Sequence, residues 1–531
     1  MFDRRKEKGV LIGLAVLFFL IYSWFGTTTA KIFNSPDETA NYFYISRYVE
    51  FGDFFMPEPL NYFLGNNVHP RSISYNGYSL VPQGFIGLAW FYGFLAKFFS
   101  LGSVKFFTPI LSAAGALAFF GLIRIIFNKK IALLSFLLLL LLPAHWYYSS
   151  RFLYPNIPFA SFLIIAIWTL ASGALKKGGK KIYTIIFALS LALSLAIRPV
   201  EIFWIAGGAL ILGMVYRKDI SWRRVFGALA IAIFTAIPVF ASNLFLYGGV
   251  FKSGYTLKDA VVYGNNFFNG ELGDIKNNFL PYGFHPRAVW NNFRNVFINN
   301  LWWYAAPAFL GIYLWARSRP KKEEKIYFYI SLAISTWLLI FYGSGVFTDN
   351  PNIIFTIGDS HFRYWLPVFM AWIPFAAYFF IRLLKKKLAI ASVLAACAFL
   401  SMLAVYFSPD DGLLMVKNNL LQNYKVKTAA EKLVEPNDVI ITSRQDKIFF
   451  PERKILYIRD IKDFKRPELF LNISELGGRD FYYYGIGLRA KEFFELNEML
   501  KIYGFKMERV DIFGKEVLYK LKKIQSRDNI K

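Results

Sequence analysis

The sequence predicts an α-helical polytopic membrane protein of about eleven transmembrane helices, with a small α/β domain at its C-terminal end. Three observations carry that reading. Of the 531 residues, 56% are hydrophobic and 19% aromatic, whereas a soluble chain of this length divides into domains with polar surfaces. Apolar segments of about 18–24 residues, the length a helix needs to cross a bilayer, recur from residue 9 to residue 407. After 407 the pattern stops, and short strand-like stretches follow.

Lys and Arg outnumber Asp and Glu by 61 to 35, a formal net charge of +26. In a soluble chain that excess points to nucleic acid. Here the basic residues collect in short loops between apolar segments, the positive-inside pattern, so no nucleic-acid partner is expected. The single cysteine, Cys397, lies in an apolar run. It excludes an internal disulfide and a Cys-rich metal site, and packing is its expected role. Basic residues Arg4, Arg5, Lys6 and Lys8 precede the apolar stretch Val10–Phe25. That stretch exceeds the core of about 7–15 residues of a signal peptide, so an uncleaved first helix is expected.

Charge parity gives the topology. The basic clusters are Arg4–Lys8, Asn128–Lys130, Lys176–Lys181, Arg217–Arg224, Arg317–Lys325 and Arg382–Lys387. If all are cytoplasmic, an even number of crossings separates each neighbouring pair. The apolar segments 131–149 and 152–174, 182–198 and 200–216, 225–246 and 300–316, and 326–343 and 364–382 satisfy this. The first interval holds three stretches, 9–26, 80–99 and 104–127. The weakest is 80–99, with Pro82, Gln83, three Gly and Lys97, and it is expected to be a re-entrant or interfacial helix on the outer side. A last helix, 388–407, carries the chain out. The expectation is eleven crossings in the plasma membrane, with a cytoplasmic N-terminus and an extracytoplasmic C-terminal domain.

Residues 1–407 then form the membrane module, with external loops 27–103, 247–299 and 344–363, and residues 408–531 form the soluble domain. Within it Asp438–Thr442, Ile455–Ile458, Phe481–Tyr484 and Val517–Tyr519 read as strands. Ala490–Tyr503 reads as a helix with Phe493, Phe494, Leu496, Met499 and Leu500 on an apolar side. GxGxxG is absent, and Gly485-Ile486-Gly487 alone carries no nucleotide assignment. The polar mass lies outside, and function is expected there.

The densest polar cluster is Asn34-Ser35-Pro36-Asp37-Glu38-Thr39. Pro36 suits the first turn of a helix, which places Asp37 and Glu38 at its N-terminus. They read either as ordinary helix-start acids or as a base at the membrane surface, able to deprotonate an acceptor hydroxyl. His69-Pro70-Arg71 and His285-Pro286-Arg287 recur in two external loops. Arginine offers a planar fork for phosphate oxygens, and histidine a hydrogen bond or a metal ligand. Glu38 and His69 are the candidate ligands for a divalent ion, although no spacing is specific for one. Arg363, between His361 and Tyr364, stands at a helix mouth, as an aromatic-belt anchor or a phosphate ligand. Arg151 and Tyr154 hold a similar outer position, as do Arg198 and Glu201, which can also simply pair.

Together these features resemble the GT-C superfamily of membrane glycosyltransferases, most closely the protein O-mannosyltransferase and aminoarabinose-transferase-like group. The likeness covers about 1–407. It rests on Pro36-Asp37-Glu38 after the first helix, Ser150-Arg151 with Tyr154-Pro155 at the next outer turn, and Arg363-Tyr364 with Leu366-Pro367 before a late helix. Family members often carry another acidic residue in the second external loop, where this chain reads Tyr154-Pro155-Asn156.

The resemblance implies an outward site, a polyprenyl-phosphate-linked sugar as donor, and a lipid, glycan or protein acceptor. It implies Asp37 as base and Glu38 as its orienting or metal-binding partner. Arg71, Arg287 and Arg363 are then candidates for the donor phosphate, with His69, His285, His361, Arg151, Tyr154 and Tyr364 on the substrate side. One base suffices for an inverting displacement, by analogy with inverting glycoside hydrolysis. Competing readings are a lipid-linked glycan ligase or polymerase, a transporter or flippase, and a membrane scaffold. Transport predicts mid-membrane charges and internal repeats, and the sequence shows few of the former and no evident repeat. A scaffold leaves the outer His and Arg groups without a purpose.

Overall fold

Where the chain loses its charges it forms helix. Residues 10–27 carry no charged side chain, and Arg4–Thr28 is one helix. The computed structural model describes residues 4–28, 32–257, 279–347, 355–459 and 478–524, with positions 473 and 476. Parts of the external loops expected at 247–299 and 344–363 lie outside the described residues.

Among the described residues six helices are long and apolar enough to cross a membrane: Lys6–Thr28, Leu101–Ile126, Trp222–Tyr247, Lys322–Gly343, Leu366–Leu383 and Lys387–Phe407. Two bent pairs meet the same test together. Lys129–Leu141 and Pro143–Ser150 meet at 53°, and Lys181–Ile197 and Pro199–Val215 at 115°. Length and composition thus give six spans, or eight with each bent pair as one. The other apolar segments expected to cross fold as shorter helices, Asn156–Ala171 and Trp302–Ala316. The segment 131–149, expected to run straight, breaks at Leu142 because Pro143 has no N–H to continue the ladder and instead starts a new helix.

The stretch 80–99 is only partly helical. Leu80–Pro82 belongs to a strand, and the helix is Gly87–Phe99. Asn76-Gly77 explains this. The Asn76 side chain accepts from the backbone N–H groups of Tyr78 and Ser79, and Gly77 takes φ 101°, so the chain turns back on itself. Three short strands follow from that turn: β1 (Met56–Pro57), β2 (Ile73–Tyr75) and β3 (Ser79–Pro82), antiparallel in the order β1-β3-β2. The 13-residue helix after them spans about 20 Å, too short for a hydrocarbon core of about 30 Å. It packs closely on Lys181–Ile197. A Cβ on Gly87 would lie 2.0 Å from the Ala196 carbonyl oxygen.

Basic loops that charge parity puts on one side meet in two groups. Glu7 pairs with Lys129 at 2.7 Å. Lys176 forms a β-bridge with Ile220, and the Lys177 N–H donates to the Asp219 carbonyl at 3.1 Å. The Lys322 ammonium lies 5.7 Å from the Tyr216 ring.

The C-terminal domain holds a five-stranded mixed sheet: β4 (Val439–Thr442), β5 (Lys454–Tyr457), β6 (Phe481–Ile486), β7 (Phe505–Phe513) and β8 (Glu516–Lys523), in the order β5-β4-β6-β8-β7. β4 is parallel to β5 and β6, and β8 is antiparallel to β6 and β7. The helix Ala490–Ile502 matches its expected position. Strand β7 and the helix Leu413–Ala430 go beyond the sequence reading. In β7 a bulge between Arg509 and Asp511 interrupts the alternation of buried and exposed residues that marks a strand.

Residues 58–68, from the loop after the first helix, complete this domain. Leu60, Leu64 and Val68 join Ile441, Leu456 and Leu500 in one apolar core. Val68 bridges Leu456, and the Lys454 ammonium meets buried Glu58 at 2.7 Å. The soluble unit is therefore not 408–531 alone.

A labelling experiment tests the two-faced arrangement. Cys397 is buried, so it gives little background. Tyr62→Cys, on the face of the soluble domain, should react with a membrane-impermeant maleimide in intact cells. Lys177→Cys should react only after permeabilisation.

Candidate active site

Ser35 adopts an extended conformation, φ −111° and ψ 143°, and caps the helix Pro36–Phe51. Its hydroxyl accepts from the Asp37 N–H at 3.2 Å, and its own N–H donates to Glu38 Oε2 at 3.2 Å. This capping box turns Glu38 back along the helix and separates it from Asp37. Glu38 is 3% exposed, whereas the Asp37 side chain is 43% exposed.

Glu38 receives a two-point ion pair from Arg151. Arg151 Nε donates to Oε1 at 2.7 Å, and Nη2 donates to Oε2. Arg151 Nη1 donates to the Tyr147 hydroxyl at 2.7 Å, and its guanidinium lies 5.3 Å from the Tyr154 ring. Both Glu38 oxygens and much of the Arg151 fork are thus engaged inside the protein.

Asp37 points the other way. Its Oδ1 accepts from Ser72 Oγ at 2.7 Å, and its Oδ2 accepts from Arg363 Nη1 at 3.3 Å. Arg363 Nη2 also donates to Ser360 Oγ at 2.8 Å, and its guanidinium lies 4.8 Å from the Tyr154 ring and 5.1 Å from the Tyr364 ring. The turn that carries Arg363, Ser360–Tyr364, is capped by Asp359, which accepts from the His361 N–H at 2.9 Å. Asp359 Oδ1 also lies 2.7 Å from His361 Nδ1. His361 is 2% exposed and braces the turn from behind.

Asp37 and Arg363 line a cavity of about 160 Å³ together with Ser72, Asn156, Arg198, Tyr255 and Tyr364. Arg198 reaches it because the chain bends by 115° at Arg198-Pro199. Its Nε donates to Glu201 at 2.8 Å, its Nη2 donates to the Tyr342 hydroxyl at 2.7 Å, and its guanidinium lies 5.1 Å from the Tyr364 ring. Tyr364 therefore lies within cation–π reach of two arginines, and it stacks on Tyr342 at 4.6 Å. Burial first, and then the Asp37 carboxylate, pushes the Tyr255 hydroxyl up, so it stands beside Asp37 as a neutral donor.

The remaining sequence candidates lie elsewhere. Arg71 is held by the C-terminal domain: its Nε and Nη2 donate to Asp446 Oδ1 at 3.0 and 2.7 Å. That guanidinium pairs with a protein carboxylate and does not line the cavity that Asp37 and Arg363 share. His69 faces the same domain, with its ring 6.1 Å from Tyr457. Glu38, named with it as a candidate metal ligand, has both oxygens engaged by Arg151. Among the described residues no three of His, Cys, Asp and Glu converge as a ligand set. His285 and Arg287 are exposed at the start of the helix Pro286–Phe293 and do not line the cavity.

Ser72, Asn156, Tyr255, Tyr342 and Lys447 are absent from the sequence candidates, and Arg198 stands there as an outer residue that can also pair with Glu201. Lys447, from the C-terminal domain, donates to the Asn34 carbonyl at 2.6 Å, next to the cap of the Asp37 helix. Burial, and secondarily Arg71, lowers the Lys447 ammonium to about 8.

Two measurements follow from this geometry. Arg151→Met leaves Glu38 buried without its cation, a loss of about 3–5 kcal/mol. Its thermal unfolding midpoint should fall well below the wild type, and the double variant E38Q/R151M should recover part of the loss. For Lys447 the folded value lies below the usual 10.5, so the unfolded chain binds the extra proton between the two values. Stability is then reduced at and below pH 8 and regained as pH rises from about 8 towards 10.5. The wild-type midpoint should rise relative to that of Lys447→Met across this window.

No protein-family model and no curated protein matches this sequence. Solved structures do. ArnT from Cupriavidus metallidurans bound to undecaprenyl phosphate superposes with a TM-score of 0.60 at 11% identity, covering 98% of this chain and 98% of that one. The apo form of the same protein gives 0.58 at 12% identity, over 96% and 98%. The oligosaccharyltransferase AglB from Archaeoglobus fulgidus, in complex with an inhibitory peptide and a dolichol-phosphate, gives 0.50 at 13% identity, over 99% of this chain and 75% of that one. Both are GT-C proteins. The likeness covers nearly the whole of this chain, and the chain shares the fold of these GT-C proteins.

Proposed function

We propose that this protein moves a sugar from a polyprenyl-phosphate donor to a hydroxyl-bearing lipid, glycan or protein acceptor at the extracytoplasmic membrane surface. One observation carries the reading. A half-exposed carboxylate, Asp37, faces a cavity beside Arg363, with Arg198 on the same wall. That is a base next to cations, at the mouth of a helical membrane module.

The residues divide the work. The Arg363 guanidinium donates to the phosphate oxygens of the donor and stabilises the charge that grows as the bond from the sugar C1 to the phosphate oxygen breaks, while Arg198, paired with Glu201, lies on the same wall. The phosphate displaces Asp37 from Arg363, and the released carboxylate takes the proton of the acceptor hydroxyl as that oxygen bonds to C1 from the face opposite the phosphate. The phosphate leaves on its lipid, and the anomeric configuration inverts. Tyr364 and Tyr154 offer aromatic faces beside Arg363 to the sugar. Glu38 acts through Arg151, setting the direction of the helix that carries Asp37.

A second cavity suits the lipid. It has about 310 Å³ and is lined by Phe297, Phe309, Leu332, Phe369 and Trp372 among other apolar side chains. Phe297 packs 5.7 Å from Trp365, the chain neighbour of Tyr364, so a buried ring lies between the linings of the two cavities. Lipid phosphates bound to ArnT and AglB support a donor of this class.

The test is direct. Purified protein in lipid nanodiscs is given a panel of polyprenyl-phosphate pentoses and hexoses with lipid, glycan and peptide acceptors, and release of polyprenyl phosphate is measured. Wild type should release it, Asp37→Asn should be slower by about 10²-fold or more, and Arg363→Gln should raise the donor KM. Full activity in Asp37→Asn, or no turnover of any donor, refutes the reading.

A further inference from the structure

We propose that the C-terminal domain supplies two positioning residues, Asp446 and Lys447, that hold Asp37 from both sides. This inference rests on the reading of Asp37 as the base. Both residues belong to one short helix, Asp446–Phe449, between β4 and β5.

Asp446 is 1% exposed. Its Oδ2 accepts from the Arg71 N–H at 2.7 Å, and its Oδ1 accepts from Arg71 Nε and Nη2. Arg71 Nη2 also donates to the Arg444 carbonyl. Backbone and side chain of Arg71 are thus gripped together. The next residue, Ser72, takes φ 61°, a left-handed conformation that a residue with a Cβ adopts only when its surroundings impose it. That conformation brings Ser72 Oγ to 2.7 Å from Asp37 Oδ1. The grip on Arg71 therefore ends at the carboxylate.

Lys447 acts on the other side. Its ammonium donates to the Asn34 carbonyl at 2.6 Å, one residue before the cap Ser35. Just beyond the short helix, Phe450 packs edge-on against Phe43 of the helix Pro36–Phe51 at 4.7 Å. Asp37 consequently sits between two elements, the turn at 34–35 and the turn at 71–72, that the soluble domain holds at a fixed separation. A domain used only for covering the site would have no need to reach both.

Full-length D446N, K447M, K447R and S72A are compared with wild type in nanodiscs. E58Q/K454M, which breaks a different polar link between domain and loop, serves as control. Donor kcat and KM are measured, together with hydrogen exchange of residues 32–41 and 69–76. We expect D446N, K447M and S72A to lower kcat at least tenfold with KM within twofold, K447R to recover most of the loss, and the control to turn over as wild type. Exchange at 32–41 should accelerate at least tenfold in D446N and K447M, while residues 481–486 stay protected. Wild-type kcat in D446N and K447M overturns the proposal, as does an equal loss in the control. If 481–486 also exchanges fast, the domain has unfolded, and S72A, which lies outside it, decides by its kcat. If wild type turns over no donor, the reading of Asp37 as base fails by itself. Unchanged exchange at 32–41 then overturns the positioning, and faster exchange upholds it.

Discussion

The site depends first on the buried pair of Glu38 and Arg151. A buried ion pair contributes little net stability, because desolvation offsets the attraction between the charges. Its consequence here is geometric. The guanidinium fork fixes both oxygens of Glu38 and thereby the rotation of the first turn of the helix Pro36–Phe51. Adjacent residues on a helix point about 100° apart. With Glu38 locked inward, Asp37 must face the cavity. The acidic pair is therefore one buried, paired acid and one acid that faces the cavity, and the capping box at Ser35 contributes to that division locally.

Two bends bring the partners of these acids into place. Pro143 and Pro199 each end one helix and begin another. Arg151 closes the short helix after the first bend, and Arg198 stands at the second. Irregular backbone at membrane depth is tolerated where it is buried in protein or lines a cavity, and Asn156, Arg198 and Val200 do line one. Apolar helices provide the frame, and the breaks in them provide the polar groups.

This explains what the sequence made legible. Apolar length and loop charge suffice for the membrane class, and the contacts between basic loops follow from charge parity. Asp37 and Arg363 were both named from local pattern, and the fold brings them to 3.3 Å. Other features carry no local signal. Window hydropathy averages across Pro143, so 131–149 read as one span. Arg71 and Asp446 are 375 residues apart, and nothing near either marks the other. The part played by 58–72 in the soluble core was hidden by the same distance, since Leu60, Leu64 and Val68 read as loop residues until β5 lies beside them.

The outer arginines sharpen the electrostatic reading. Basic residues on that face oppose the positive-inside tendency and so ask for anions. Three of them find carboxylates supplied by the chain: Arg71 with Asp446, Arg151 with Glu38, and Arg198 with Glu201. Each of these carboxylates is at most 5% exposed, so the three pairs are fixed parts of the framework. Arg363 differs. Its carboxylate, Asp37, is 43% exposed, and their 3.3 Å contact is the longest of the four. A ligand phosphate can replace Asp37 at Arg363 at small cost, because a half-exposed carboxylate regains water when released. The same exchange frees Asp37 to meet a hydroxyl. On the proposed function, donor binding and activation of the base are one event at this single half-exposed ion pair, while the three buried pairs around it stay in place.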